Sequence, residues 1–150
     1  MNESIFKNSE LSDKLVAICD KWLGTPFSSH GACVGSGVNC GRLVYSVLHE
    51  LGVLPKLDIP RKFTSKSGGE MATNLIETIV AGSEGIYEVD TVEIGDVVHV
   101  TEHRELSNHL ALVYNTNTQT IFHAWPNKGV IISPYRAVRK YKHKIYRFVS

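Results

Sequence analysis

The chain has 150 residues, of which 43% are hydrophobic and 21% charged, with a formal charge of +1. This supports one domain with a real core, and the near-neutral balance excludes bulk electrostatic attraction to nucleic acid or to an acidic membrane surface. Three cysteines, Cys19, Cys33 and Cys40, cannot form a complete disulfide framework, so a free thiol must remain. Met1 to Asp13 is polar and acidic without an apolar h-region, and no stretch approaches the roughly 20 apolar residues that span a bilayer. The expectation is a reduced, soluble protein synthesised in the cytoplasm without a signal peptide.

Leu11, Leu15, Ile18, Cys19 and Trp22 form one stripe, predicting a helix from Ser9 to Leu23 that Gly24-Thr25-Pro26 ends. Cys19 belongs to that stripe and reads as core. A polar, glycine-rich stretch from Gly31 to Asn39 follows, and at Cys40 an apolar pattern begins: Leu43, Val44, Val47, Leu48 and Leu51 recur at helix spacing, with Gly52 as the stop. Cys40 therefore falls in the first turn of a buried helix, where unpaired backbone N–H groups and the helix dipole are expected to lower a thiol's pKa. An inert packing cysteine would occupy the same place, and only a neighbouring base separates the two readings.

Pro55 to Gly69 carries Pro60 and a basic, serine-containing run, and reads as an exposed loop. Met71, Leu75, Ile76 and Ile79 predict a third helix over Glu70 to Val80. From Gly95 the period changes to two, predicting strands over Gly95–Thr101, Asn108–Tyr114, Thr120–Trp125, Gly129–Ser133 and Lys144–Val149. Turns this short leave no room for crossover helices, so the sheet is antiparallel. Helices first and strands afterwards predict an α+β fold, with N-terminal helices packed on one face of a four- to six-stranded antiparallel sheet.

Any base for Cys40 belongs among the seven histidines. A hairpin centred on Thr116 sets His109 directly opposite His123, with Cβ atoms about 4.5–5.5 Å apart on one face. A slip of one residue would put one ring on the other face. The pair is either a base with its partner or two solvated rings on the open side of the sheet. His99 lies in a strand without such a partner and reads as structural, while His49, His103 and His143 sit in charged surroundings and read as solvated.

Leu23-Gly24-Thr25-Pro26-Phe27 resembles the "LGTPY" entry of the NlpC/P60 cysteine peptidases, and Gly37-Val38-Asn39-Cys40-Gly41-Arg42-Leu43-Val44 resembles their "DCSGLV" nucleophile helix. Ile94-Gly95-Asp96-Val97-Val98 is similar to their "GDLVFF" strand, Asn108-His109-Leu110-Ala111-Leu112-Val113 to "HVGIY" and Ile121-Phe122-His123-Ala124 to "IHA". Gly129-Val130-Ile131-Ile132-Ser133 is similar to the strand that follows. These pieces keep their order over nearly the whole chain, apart from an extended middle between Pro55 and Val92. The resemblance implies one papain-like catalytic domain over residues 1–150, with Cys40 as nucleophile, His109 as base and His123 as the group that orients it. It also implies an oxyanion-hole donor in the Cys40 N–H, an acyl-enzyme thioester, and no metal or organic cofactor.

Departures from the pattern bear on the substrate. The usual Tyr is Phe27, so its hydroxyl is missing unless Ser28, Ser29 or His30 replaces it. Asn39 stands for the usual Asp, and Gly41-Arg42 for Ser-Gly; Arg42 would recognise a carboxylate or be a solvated side chain. The implied activity is cleavage of an amide bond in peptidoglycan stem peptides by a monomer that binds neither nucleic acid nor membrane. The alternatives are a cysteine acyltransferase or amidase on a non-wall substrate, a non-catalytic phage tail-assembly or binding module, and a structural zinc site from His30, Cys33, Cys40, His109 and His123. A wall substrate implies export by lysis or by a dedicated secretion system, with a phage structural protein or an immunity protein as partner. Under oxidation Cys33, in a flexible glycine loop, is the thiol expected to pair with Cys40.

Overall fold

Asn8 starts the first helix: its side-chain oxygen accepts the Leu11 N–H at 3.1 Å, and α1 runs Ser9–Trp22 behind a short 3-10 turn at Ile5–Lys7. The structure, a computed structural model, describes residues 3–28, 31–57, 75–80, 85–102 and 108–150. Asn39 does the same for α2, Cys40–Glu50, accepting the Arg42 N–H at 2.8 Å. Leu43, Val44, Val47 and Leu48 are fully buried along α2. Burial on this scale contributes about 1.5–3 kcal/mol per side chain, and this anchors the end of the helix that carries Cys40. Residues 75–80 form α3, burying Leu75, Ile76 and Ile79 as their spacing predicts. The start of that predicted helix, 70–74, and the predicted loop from 58 to 69 lie outside the described residues.

The glycine-rich stretch before α2 is a small hairpin, β1 (Ala32–Cys33) with β2 (Gly37–Val38), and not a structureless loop. Gly37 has to be glycine there, because a Cβ would fall 2.6 Å from Ser28 Cβ. The main sheet contains β3 (Ile86–Val89), β4 (Val97–Val100), β5 (His109–Asn115), β6 (Thr120–Trp125), β7 (Gly129–Pro134) and β8 (His143–Phe148). Its spatial order is β3-β8-β4-β5-β6-β7, antiparallel throughout. The five strands expected from period two are β4 to β8, while β3 is a half-buried edge strand that the pattern does not reveal.

The β5–β6 register differs from the one read off the turn. Leu112 pairs with Phe122 and Val113 with Ile121, and an irregularity between Val113 and Asn115 absorbs one extra residue. The offset is two residues, so His109 and His123 are diagonal neighbours and still share a face.

Side chains alternate between two cores. Leu110, Leu112, Phe122 and Ala124 face the N-terminal helices, while Val98, Val100, Ala111, Val113 and Ile121 face a second cluster closed by Tyr135 and Val138 of the short α4 segment, Arg136–Arg139. The helices are thus not confined to one face. At the base of β4, Asp96 is fully buried and accepts Arg147 Nε at 3.0 Å, Arg147 Nη2 at 2.8 Å and the Glu93 N–H at 2.8 Å. This clamp ties the turn before β4 to β8. Next to it Gly95 has φ +86° and lies against the Phe6 ring.

Candidate active site

Cys40 is the first residue of α2 and is sealed from solvent, at 0% exposure. The backbone N–H groups of Leu110, Gly41 and Cys40 itself are directed at its sulfur. That contact sets the Cys40 sulfur against β5, one residue from His109. Among the described residues, the β5–β6 pairing ends at Leu112 opposite Phe122, and beyond it the Leu110 N–H serves the thiol. The expected lowering of the thiol pKa is overturned, because burial pushes it up to about 11 against the pull of those three N–H groups. A helix start favours the thiolate only where water or a counter-charge shares the task, and desolvation is the larger effect here.

His109, first in β5, and His123, in β6, are both buried and share a 2.7 Å hydrogen bond between His109 Nε2 and His123 Nδ1. His123 Nε2 in turn meets Ser133 Oγ at 2.8 Å. The Trp125 ring stands edge-on to both imidazoles, with centroids 5.1 Å from His109 and 5.5 Å from His123. Burial, and secondarily the charge of Lys128, lowers His123 to about 4, so its ring is neutral near pH 7. Ser133 and Trp125 were not singled out from the sequence. Trp125 was legible as the next residue after His123 on the same face, whereas Ser133 needed the β6–β7 register, in which Ile121 opposes Ser133 and His123 opposes Ile131.

No family model matches the chain, and no curated protein sequence does either. Among solved structures, the NlpC/p60 domain of the peptidoglycan hydrolase SagA aligns with a TM-score of 0.55 and 17% identity, covering 89% of this chain and 97% of that one. An NlpC/P60 family protein from Bacillus cereus ATCC 10987 aligns with a TM-score of 0.58 and 19% identity, over 89% of this chain and 39% of that one. The chain has the NlpC/P60 fold.

In this NlpC/P60 fold the segment that follows α1 runs beside β2: Phe27 bridges Val38, and the Ser28 N–H donates to Val38 O at 3.0 Å. Phe27 and Ser28 are half-buried, and Arg42 is half-exposed on the first turn of α2. Ser29, His30 and His103 lie outside the described residues. His99 is buried and meets Asn108 Oδ1 at 3.0 Å, in keeping with a structural role. His143 is not simply solvated: it is half-buried between the Tyr135 hydroxyl at 2.7 Å and Tyr141 O at 2.6 Å. His49, exposed as a residue, stacks on Tyr45 and meets Leu54 O at 3.1 Å. Among the described residues no three His, Cys, Asp or Glu side chains gather as a metal site, and no helix is long and apolar enough to cross a membrane.

All three cysteines are free thiols; Cys33 is exposed in β1, whereas Cys19 and Cys40 are buried. Burial raises the Cys19 thiol far above its ordinary range. Brief iodoacetamide treatment of the folded protein at pH 7 should therefore alkylate Cys33 first and spare the other two until denaturant is added. Peptide mapping reads this directly, and rapid modification of Cys40 would contradict the sealed, protonated thiol.

The neutral His123 also links stability to acidity. Its folded pKa of about 4 lies below the ordinary 6.5, so between these values the unfolded chain takes up a proton that the folded chain refuses. Stability is then complete above pH 6.5 and falls as the pH drops to 4, by about 3 kcal/mol in all. His123→Gln should flatten part of this acid limb, leaving the share due to His99, which burial shifts the same way. Urea midpoints at pH 7 and pH 4.5 compare the two proteins, and equal losses would exclude His123 as the source.

Proposed function

We propose that this chain is a thiol hydrolase that cleaves an amide bond in peptidoglycan stem peptides through Cys40, His109 and His123. The observation that carries the reading is the His109–His123–Ser133 relay beginning one residue from the Leu110 N–H that meets the Cys40 sulfur. Peptidoglycan as the substrate class is supported by the fold shared with SagA, a protein described as a peptidoglycan hydrolase.

In the productive tautomer His109 Nε2–H donates to His123 Nδ1, and His123 Nε2–H donates to Ser133 Oγ. His109 Nδ1 is then the nitrogen that takes the thiol proton. With the thiol pushed up by burial, the proton leaves as the carbon–sulfur bond forms, not in advance. Backbone N–H groups at the start of α2 stabilise the oxyanion, a kind of donation worth about 3–4 kcal/mol per donor in other acyl-transfer sites. His109 passes the proton to the leaving amine, water attacks the thioester, and His109 takes the water's proton and returns it to the sulfur as the carboxylic acid departs. His123 and Ser133 touch no reacting atom; they are positioning residues.

The test is incubation of the purified protein with digested peptidoglycan and with free stem peptides, followed by mass spectrometry. New termini at one amide bond are expected, and they should be absent with Cys40→Ala. No cut with any of these substrates, or the same cut from the variant, would overturn the reading.

A further inference from the structure

We propose that the cavity between the β6–β7 hairpin and α4 holds a carboxylate of a bound peptide, clamped by Lys128 and Lys140. The proposal builds on the hydrolase reading and specifies which peptides the site accepts. The cavity has a volume of about 460 Å³, room for an amino-acid side chain with its acid group. His123 and Ser133 of the relay line it together with Trp125, and so do Lys128 from the β6–β7 turn and Lys140 and Tyr141 just after α4.

Among the described residues the charge in this space has one sign: no described Asp or Glu lines the cavity, and neither lysine forms an ion pair with a described residue. Two exposed lysines that line one concavity, with no described ion-pair partner, give it a positive potential that attracts an anion. The field of Lys128 already reaches the inner wall, since it contributes to holding His123 neutral. Lys140 Nζ lies 5.3 Å from the centre of the Tyr141 ring, an arrangement that steadies the long side chain at the rim. The cavity meets the relay at His123 and Ser133, so a carboxylate held here belongs to the part of the peptide lying past His123. A neutral amide in the same place leaves both ammonium groups without a counter-charge, and the site therefore discriminates acid from amide.

Binding is measured in the Cys40→Ala protein, first shown to melt like the parent, so that turnover plays no part. An N-acetylated glutamate dipeptide with free carboxylates, its fully amidated twin and inorganic phosphate are each titrated into ¹⁵N-labelled protein. The free acid should shift the amide signals of Lys128, Ile131 and Lys140 saturably; the twin should not. Lys128→Gln with Lys140→Gln should weaken that binding by roughly tenfold or more, and in the active enzyme should raise KM for the acid by a similar factor with little change in kcat. Equal binding of acid and twin, unchanged binding in the double variant, or saturation by phosphate with none by the dipeptide would overturn the proposal. Binding as described in a protein that cuts no peptide would uphold the cavity's role and remove the hydrolase reading instead.

Discussion

Cys40→Ala should abolish turnover, a fall of roughly 10⁴-fold or more, because it removes the thiol that the proposed mechanism acylates. His109→Ala should be nearly as severe, since it takes away both the base of the first step and the acid that protonates the leaving amine. His123→Ala removes only the orienting partner, so roughly 10²-fold is expected, with part regained in His123→Asn or His123→Gln, whose amide oxygen can accept the His109 Nε2–H. The ranking is the informative part. Steady-state rates on the stem peptide identified by mass spectrometry supply it, and thermal melts confirm that the variants are folded. Wild-type rates in Cys40→Ala would mean that the cut does not pass through a Cys40 thioester.

Gly95→Ala should be among the most destabilising single changes. The residue has φ +86°, a left-handed conformation strained for any L side chain, and an added Cβ would fall inside the buried Phe6 ring. Strain and clash together are expected to cost about 3 kcal/mol. Gly95→Ala combined with Phe6→Leu should lose less than the sum of the two single changes, because the smaller side chain relieves the clash but not the strain. Urea denaturation of the four proteins measures this, and a Gly95→Ala protein as stable as its parent would mean that the turn before β4 does not pack on the N-terminal segment.

Strand period and helix spacing recovered the main elements because each carries several apolar residues at a fixed interval: Leu43, Val44, Val47 and Leu48 on α2, Phe122 and Ala124 on β6. The two-residue strands β1 and β2 and the single turn of α4 are too short to show a period at all. The β5–β6 turn was misread because the irregularity after Val113 depends on backbone pairing, which residue types do not encode. The histidine pair survived that error since the offset was even. The thiol was the opposite case: its position in the first turn was right, yet the sign of its pKa shift was wrong, because local sequence carries the helix dipole and not the depth of burial. Ser133 went unnoticed because what it does depends on the strand beside it.

The place of β8 in the sheet has a consequence for how this protein comes into being. β8 is the last described strand in sequence, yet it lies between β3 and β4 and brings the Arg147 that clamps Asp96. A chain emerging from the ribosome therefore presents Cys40 well before it has His109, and has His109 before the sheet that positions it can close. On the proposed mechanism the half-made protein carries a thiol without its base, and hydrolysis begins only when the final strand has threaded into the middle.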